Sequence, residues 1–221
     1  MNLNMIKLFR NLLRVGSPDI KSWGTERAVV ELLGDADREW VSLRYRLTLD
    51  YIEQTGLVLD AACGSGFGSA ILSQKAKMIY GIDISRDAIN YAKGKYGKNN
   101  IKFSRGDVQK IKFKDDFFDV AIGIETLEHV KHPELYLQEL KRVTKNYGKV
   151  VISTPQKKGG LLTPYHIYEY DFCEFKELLQ KYFKVEEIIG LKRERPPIFE
   201  VVTETNPEIF DIYLAVCINI K

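Results

Sequence analysis

The sequence predicts a doubly wound α/β fold built around a mostly parallel sheet. Three observations predict it: short apolar strands alternate with helical segments from Leu57 onward, one strand runs into a glycine-rich turn, and several strands end at an acidic residue. Strands that alternate with helices favour a parallel sheet that is covered on both faces. A length of 221 residues suits one domain with a sizeable core.

The composition is that of an ordinary globular protein, with 45% hydrophobic and 29% charged residues. A net charge of +3 does not require a nucleic acid partner. The three cysteines have no CxxC spacing, which argues against a disulfide framework or a cysteine zinc site. No apolar run approaches the roughly 20 residues of a membrane span, and the N-terminus lacks the continuous apolar core of a secretory signal. We therefore predict a cytoplasmic protein without a membrane span.

The elements can be assigned in order along the chain. Residues 1–35 form a predicted N-terminal helical segment, which packs on the main domain, covers the substrate as a lid or contacts a membrane surface. Residues 36–221 form the predicted main domain, which begins with a helix over about 37–52. Strands are predicted near 57–61, 78–82, 101–104, 118–123 and 148–153. Ser85 is a predicted N-cap, and Pro133 suits the first turn of a helix.

The C-terminal part departs from this alternation. Asp171 and Glu174 have the spacing of a capping box before a helix that runs to about Tyr182. Two strand-like runs follow, over 183–191 and 212–220, with no helical pattern between them. The pattern predicts either a terminal antiparallel hairpin or a long connection that returns to the edge of the sheet.

The strongest functional signal is the run VLDAACGSGFG over residues 58–68. Glycines in such a turn let a ligand approach the backbone, and a nicotinamide dinucleotide is the obvious first candidate. However, Asp60 ends the strand beside the turn, where a carboxylate would repel a pyrophosphate. The carboxylate suits S-adenosylmethionine better, because this cofactor carries an ammonium and a sulfonium and no phosphate.

The next two strands supply further candidate contacts. Asp83 ends the second strand, where its carboxylate can accept both ribose hydroxyls, and Ile84 would then lie against the adenine. Asp107 follows the third strand and can accept from the adenine amino group, with Val108 on the other ring face. Alternatively, Asp107 only caps a turn.

Residues 57–155 resemble class I S-adenosylmethionine-dependent methyltransferases of the type-11 family. The resemblance rests on the Asp60-to-Gly68 motif, Asp83, the Gly106–Asp107 pair, the Phe118–Val120 strand start and the Ser153–Pro155 motif. It implies a Rossmann-like, mostly parallel seven-stranded sheet whose C-terminal strand is antiparallel. With Arg44 closing over the methionyl group, the cofactor contacts that we predict are Arg44, Asp60, Ala61, Gly64, Gly66, Gly68, Asp83, Ile84, Asp107, Val108, Ile124 and Glu125.

The methyl acceptor is expected beyond the fourth strand, because ligands in open α/β sheets gather at the carboxyl ends of strands. If this segment is helical, Glu125, Glu128 and His129 share one face, and His166 can join them from a later loop. The segment resembles the metal motif of methyltransferases that modify small-RNA 3′ termini, and ubiquinone-biosynthetic O-methyltransferases are similar there. Three roles stay open: a magnesium, manganese or zinc site formed by all four residues, a general base, or a structural network. His129, His166 and Glu125 are the candidates for catalysis.

A second resemblance covers most of residues 24–183. The segments Gly24–Arg27, Arg44–Tyr45 and Pro164–Tyr170 resemble methyltransferases that are encoded with polysaccharide biosynthesis, although Ser65 and Thr163 depart from that pattern. It implies O-methylation of a sugar or glycan intermediate. RNA 2′-O-methylation, small-molecule O- or N-methylation and a non-catalytic cofactor-binding subunit are the alternatives. The expected partner is a small molecule or glycan, and the near-neutral charge makes nucleic acid the less favoured one.

Overall fold

The computed structural model describes residues 33–159, 161, 163–194, 196–203 and 206–221. Nearly all of the predicted N-terminal segment 1–35 lies outside these residues, as does the Gly24–Arg27 motif. The predictions for both therefore remain predictions.

The described part of the chain forms one sheet with helices on both faces. Its helices are α1 (Asp35–Thr48), α2 (Phe67–Leu72), α3 (Arg86–Tyr96), α4 (Pro133–Val143) and α5 (Phe172–Gln180). Its strands are β1 (Leu57–Ala61), β2 (Met78–Asp83), β3 (Ile101–Arg105), β4 (Phe118–Gly123), β5 (Thr144–Pro155), β6 (Lys184–Lys192), β7 (Ile198–Val201) and β8 (Ile212–Ile218). All five strands predicted between residues 57 and 153 are present, and β5 is longer than expected.

Strands pair in the order β3-β2-β1-β4-β5-β8-β6-β7. The pairs between β3 and β5 are parallel, whereas β8 is antiparallel to both β5 and β6. The two terminal runs therefore pair with each other, as the predicted hairpin requires, but β8 enters the sheet instead of extending its edge.

The prediction of seven strands is wrong, because the described residues form eight. The additional strand is β7, which folds back antiparallel on β6, with Ile189 opposite Val201 and Lys192 opposite Ile198. All four side chains of β7 are exposed, so the alternation of buried and exposed residues that marks a strand is missing.

Two apolar layers enclose the sheet. One contains Tyr136 and Leu137 of α4 with Phe175 of α5, and the other contains Trp40 of α1 and Leu72 of α2. Strand β4 is apolar almost throughout, as expected of a parallel strand that is covered on both faces.

The predicted helix signals are confirmed. Ser85 Oγ accepts a hydrogen bond from Ala88 N, and Pro133 occupies the first turn of α4. Asp171 and Glu174 form a reciprocal capping box at the start of α5. These boundaries place the carboxyl ends of β1, β2, β4 and β5 at one edge of the sheet, where the strand order reverses between β1 and β4. Among the helices of the described residues, none is long and apolar enough to span a bilayer.

Candidate active site

The glycine-rich turn joins β1 to α2 and lies against β2. Cys63 N donates a 2.9 Å hydrogen bond to Ile82 O, which holds the turn on the neighbouring strand. Gly66 has a φ of 86°, and a Cβ there would lie 2.7 Å from the Cβ of Ala92. Only glycine fits this position, because both its backbone conformation and its surroundings exclude a side chain. The turn therefore presents bare backbone at the sheet edge where ligands of open α/β sheets gather.

Asp60 lies at the base of this turn and is fully buried. Its Oδ2 accepts a 2.5 Å hydrogen bond from Ser69 Oγ, whereas Oδ1 has no hydrogen-bond partner among the described residues. Burial raises the pKa of this carboxyl group to about 7, the Ser69 hydroxyl opposes that shift, and the charge of Asp83 adds to it. A cationic ligand would supply the partner that Oδ1 lacks.

Asp83 ends β2 on the other side of the turn. Gly64 N donates to its Oδ2 at 3.0 Å, and Ser85 N donates to its Oδ1 at 2.8 Å. The two amides orient the carboxylate, and a carboxylate oxygen can accept more than one hydrogen bond. The next side chain, Ile84, is 58% exposed and offers an apolar surface beside it.

Asp107 lies near Asp83, because Gly106 N donates to Asp83 O at 3.0 Å. Its Oδ1 accepts from Gln109 N at 2.8 Å, so it does cap a turn, as one interpretation of the sequence expects. Val108 is partly buried and packs on the core. The predicted contacts of Asp107 and Val108 with adenine remain predictions.

Helix α1 packs against the glycine-rich segment and brings Arg44 to the end of β4. The Tyr45 ring packs so closely on α2 that a Cβ at Gly68 would lie 2.2 Å from it. Arg44 is buried, and its Nη1 lies 3.4 Å from Glu125 Oε2. Arg44 Nε has no hydrogen-bond partner among the described residues, and the guanidinium lies 5.8 Å from the Trp40 ring centroid. A buried cation is thereby held next to the end of β4.

The predicted helical face of Glu125, Glu128 and His129 is wrong. Glu125 has a φ of 49°, and the helical geometry is limited to a 3-10 turn over Leu127–His129. Ser153 Oγ accepts from Glu125 N at 3.0 Å and donates to Glu125 Oε1 at 2.8 Å. The chain thus leaves β4 in a left-handed conformation before the 3-10 turn begins. The two bonds to Ser153 hold the Glu125 side chain there, and it faces Arg44.

Glu128, His129 and His166 do converge. One ligand atom of each lies within 4.8 Å of the others, and Glu125 does not belong to this group. The rings of His129 and His166 have centroids 4.9 Å apart in an edge-to-face arrangement. His166, which the sequence places 37 positions after His129, therefore reaches the end of β4 as predicted.

Glu128 is the carboxyl member of this group, and it is almost fully buried. Its Oε2 accepts from Thr154 Oγ1 at 3.3 Å, and its Oε1 lies 4.0 Å from His129 Nε2. Burial, reinforced by the charge of Glu125, raises the pKa of Glu128 well above its ordinary value, although His166 and Thr154 oppose the shift. The carboxyl group is therefore protonated more readily than an exposed glutamate.

The loop over 163–170 brings His166 into the site. Ile167 N donates to Glu128 O at 2.7 Å, which ties the loop to the 3-10 turn. His129 Nδ1 lies 3.1 Å from Tyr165 O, and His166 Nδ1 lies 2.6 Å from Glu169 Oε1. Each imidazole is thus held through its Nδ1 atom.

Sequence reasoning missed the groups that support these side chains. Tyr45, Ser153, Thr154 and Glu169 appeared there only as members of motifs, without these contacts, and Ser69 was not singled out. A usable signal existed for Ser153 and Thr154, because they end β5 at the same sheet edge as the acids of β1 and β2. No periodicity marks Glu169, which lies in an irregular loop.

Comparison with known proteins is consistent with this geometry. Residues 59–152 match a family model described as a methyltransferase domain. A probable S-adenosylmethionine-dependent methyltransferase of Mycolicibacterium smegmatis is 26% identical over 141 residues, covering 61% of this chain and 54% of that protein. A fatty-acid O-methyltransferase of the same species is 23% identical, covering 69% of this chain and 56% of that protein. The chain thus spans about half the length of these curated relatives.

A solved structure shares the fold. The crystal structure of a SAM-dependent methyltransferase from Aquifex aeolicus superposes with a TM-score of 0.67 at 20% identity. The match covers 89% of this chain and all of the other, so the Rossmann-like arrangement extends well beyond residues 59–152.

Proposed function

We propose that the class I S-adenosylmethionine-dependent methyltransferase domain of this chain transfers a methyl group to a hydroxyl oxygen of a sugar or glycan intermediate. The observation that carries the proposal is that two histidines, held by their Nδ1 atoms after the end of β4, lie at the same sheet edge as the carboxylates that end β1 and β2. One end of the sheet thereby offers both a cation site and a proton acceptor. That combination is what methylation of a hydroxyl requires.

The residues around the glycine-rich turn fit S-adenosylmethionine. The unsatisfied Oδ1 of Asp60 suits the ammonium of the cofactor, and Asp83 suits the ribose hydroxyls. The exposed Ile84 provides an apolar surface for the adenine, and buried Arg44 suits the carboxylate. When bound, the cofactor supplies an electrophilic methyl group on a positively charged sulfur.

Glu125 belongs with the residues that face the cofactor and not with the cluster of Glu128, His129 and His166. Its carboxylate faces Arg44 and accepts from Ser153. A carboxylate beside a buried guanidinium keeps that cation in place, so we assign Glu125 to cofactor positioning rather than to proton transfer.

The cluster of Glu128, His129 and His166 performs the proton transfer. When the bound cofactor supplies its methyl group to the acceptor oxygen, an imidazole would take the hydroxyl proton and later release it to water. His166 and His129 both lie close enough to Glu128 to share this space. Glu128, with its raised pKa, is suited to donate a hydrogen bond instead of adding a second negative charge.

The sugar acceptor is supported by the resemblance of Arg44–Tyr45 and Pro164–Tyr170 to methyltransferases encoded with polysaccharide biosynthesis. A lipid hydroxyl or carboxyl group is the second candidate. It is favoured by the fatty-acid O-methyltransferase relative and by two exposed apolar side chains, Ile167 in the loop that carries His166 and Leu161 shortly before that loop.

A divalent metal is the alternative use of Glu128, His129 and His166. One carboxylate and two imidazoles match the donors of a catalytic zinc site better than the oxygen-rich sets that magnesium and manganese prefer. Zinc would polarise the acceptor hydroxyl there, and the raised pKa of Glu128 opposes its binding.

Two measurements test the proposal. Calorimetry should show S-adenosylmethionine binding in the micromolar range, about −8 kcal/mol, and no binding of NAD. Incubation with methyl-labelled cofactor should place label in the glycan fraction of source cells and not in the RNA fraction. Label in the lipid fraction would select the second candidate. Binding of NAD without S-adenosylmethionine would overturn the proposal.

A further inference from the structure

We infer that Glu169 is a positioning residue that holds His166 as its Nδ1-protonated tautomer and makes His166, not His129, the proton acceptor. This inference rests on the proposed function, and it assigns the proton transfer within the histidine pair. Its basis is the 2.6 Å contact between His166 Nδ1 and Glu169 Oε1.

The contact fixes where the proton of the neutral ring resides. A glutamate carboxylate only accepts hydrogen bonds, so a bond of this length to Nδ1 requires that Nδ1 carries the hydrogen. The lone pair of the ring is then on Nε2, on the edge of the imidazole away from Glu169. A base needs that lone pair to receive a proton from the acceptor hydroxyl.

Burial makes the pair effective. The side chains of His166 and Glu169 are 7% and 1% exposed, so water screens their interaction very little. When Nε2 takes a proton, the ring becomes an imidazolium that is already hydrogen-bonded to a carboxylate. The product of proton transfer is therefore stabilised before the reaction begins.

His129 is held differently, because the carboxyl group near it, Glu128, lies 4.0 Å from Nε2 and not behind Nδ1. Its Nδ1 lies 3.1 Å from Tyr165 O, a neutral carbonyl oxygen, and its side chain is 29% exposed. A carbonyl fixes the same tautomer but carries no net charge to stabilise an imidazolium. The two rings, with centroids 4.9 Å apart, thus differ in the partner behind them, and the carboxylate favours His166 as the base.

The surrounding backbone keeps Glu169 in register with His166. Gln156 and Tyr170 form a parallel bridge, and Lys157 N donates to Tyr170 O at 3.0 Å, so the residue after Glu169 is attached to the end of β5. At the other end of the loop, Ile167 N donates to Glu128 O. The segment between these anchors has little freedom to move the carboxylate away from the ring.

The test is imidazole ¹⁵N NMR of the cofactor-free protein. The chain has three histidines, His129, His132 and His166. The ring signals of all three can therefore be assigned with His132→Gln and one further histidine variant. We expect His166 to carry its proton on Nδ1 in the wild type. Glu169→Leu should remove that preference, whereas Glu169→Gln should keep it, because the amide oxygen still accepts from Nδ1–H. His129, held by the Tyr165 backbone, should be unchanged in both variants.

Turnover separates the roles of the two rings. With label transfer into the glycan fraction, Glu169→Gln should lower turnover about 10–100-fold, because the amide keeps the tautomer but removes the negative charge that stabilises the imidazolium. Affinity for S-adenosylmethionine should not change. His166→Gln should cost roughly 10²–10⁴-fold, and His129→Gln should cost much less.

Several results would overturn the inference. They are a wild-type His166 protonated at Nε2, a folded Glu169→Leu protein that keeps the Nδ1 tautomer, or a larger loss of turnover in His129→Gln than in His166→Gln. If Glu169→Leu fails to fold, the tautomer of His166 in the wild type and the turnover of Glu169→Gln still test the role of Glu169. Absence of methyl transfer by the wild type would refute the proposed function alone, because the NMR result does not depend on an acceptor.

Discussion

Ser69 Oγ donates a 2.5 Å hydrogen bond to Oδ2 of Asp60, so the first turn of α2 closes over a fully buried carboxyl group at the end of β1. The hydroxyl is the only hydrogen-bond donor to this group that the described residues provide, and it offsets the cost of burial only in part. Asp60 consequently has a pKa of about 7 in the cofactor-free protein. The charge of the cofactor site should therefore change near neutral pH.

The first prediction is that S-adenosylmethionine binds more tightly as the pH rises. Asp60 must be ionised to accept the ammonium, and below a pKa of about 7 most of the protein holds it protonated. Affinity should fall by about tenfold per pH unit below that value. Calorimetry between pH 5.5 and 8.5 checks this, with Asp60→Asn as the control that should bind weakly at every pH. A flat wild-type profile would contradict the assigned contact.

The same shift has the opposite effect on stability. The folded pKa of Asp60 is about 7 and its ordinary value is 3.8, so folding favours the protonated form. That contribution is complete below about pH 4 and is lost as the pH rises to about 7. Relative to Asp60→Asn, the cofactor-free wild type should lose roughly 3–4 kcal/mol of unfolding free energy over this range. Urea unfolding at pH 4.5 and pH 8 measures the difference.

The second prediction concerns Asp83. Asp83→Ala should weaken cofactor binding by about 1.5–3 kcal/mol, because the ribose hydroxyls lose a charged acceptor. It also leaves Gly64 N and Ser85 N without their side-chain acceptor, so a moderate loss of stability is expected as well. Asp83→Asn, which keeps an acceptor oxygen, separates the two effects. Asp87→Ala, at an exposed acid on α3, is the matched control, and wild-type affinity in Asp83→Ala would mean that the ribose lies elsewhere.

The sequence was sufficient to locate the sheet edge at which we propose that the cofactor binds. Asp60 and Asp83 could be placed because each follows an apolar run, and parallel strands bring their carboxyl ends to one edge. The glycine-rich turn between them was also recognisable, because a backbone conformation that only glycine adopts easily shows in the sequence as a glycine.

The side of the site that is expected to hold the methyl acceptor was harder to predict from the sequence, because it is built from irregular segments. Glu125 was assigned to a helical face, yet its left-handed backbone is stabilised by Ser153, which is 28 positions away in sequence. Glu169 approaches His166 through a loop whose path depends on bonds to Glu128 and Tyr170. Such contacts arise from tertiary structure, and no local period indicates them. For the same reason β7, with only exposed side chains, was missed.

The third prediction concerns the packing of α1 on the glycine-rich segment. Gly68→Ala should destabilise the protein by about 1–3 kcal/mol, because its Cβ would lie 2.2 Å from the buried Tyr45 ring. The shift of α1 should also weaken cofactor binding, since Arg44 precedes Tyr45. Gly94→Ala is the control: it lies in helix α3 with nothing within 4 Å of its Cβ, and should stabilise by about 0.5–1 kcal/mol. Thermal unfolding of both variants checks this, and equal melting temperatures would refute the close packing.

The last prediction concerns metal ions at Glu128, His129 and His166. If His166 is the base, chelation with EDTA should leave methyl transfer unchanged, and added zinc should inhibit it, because a metal-bound nitrogen has no lone pair for a proton. Inhibition should strengthen as the pH rises, since Glu128 must lose its proton before it can bind a cation, and burial raises its pKa. Glu128→Gln should weaken this inhibition. Glu125→Gln should not, because Glu125 faces Arg44 and lies outside the group of donors. Loss of activity in EDTA that zinc, magnesium or manganese restores would reverse the assignment and make these three side chains ligands of a required metal. Zinc inhibition that persists in Glu128→Gln and in His129→Gln would place the metal elsewhere on the protein.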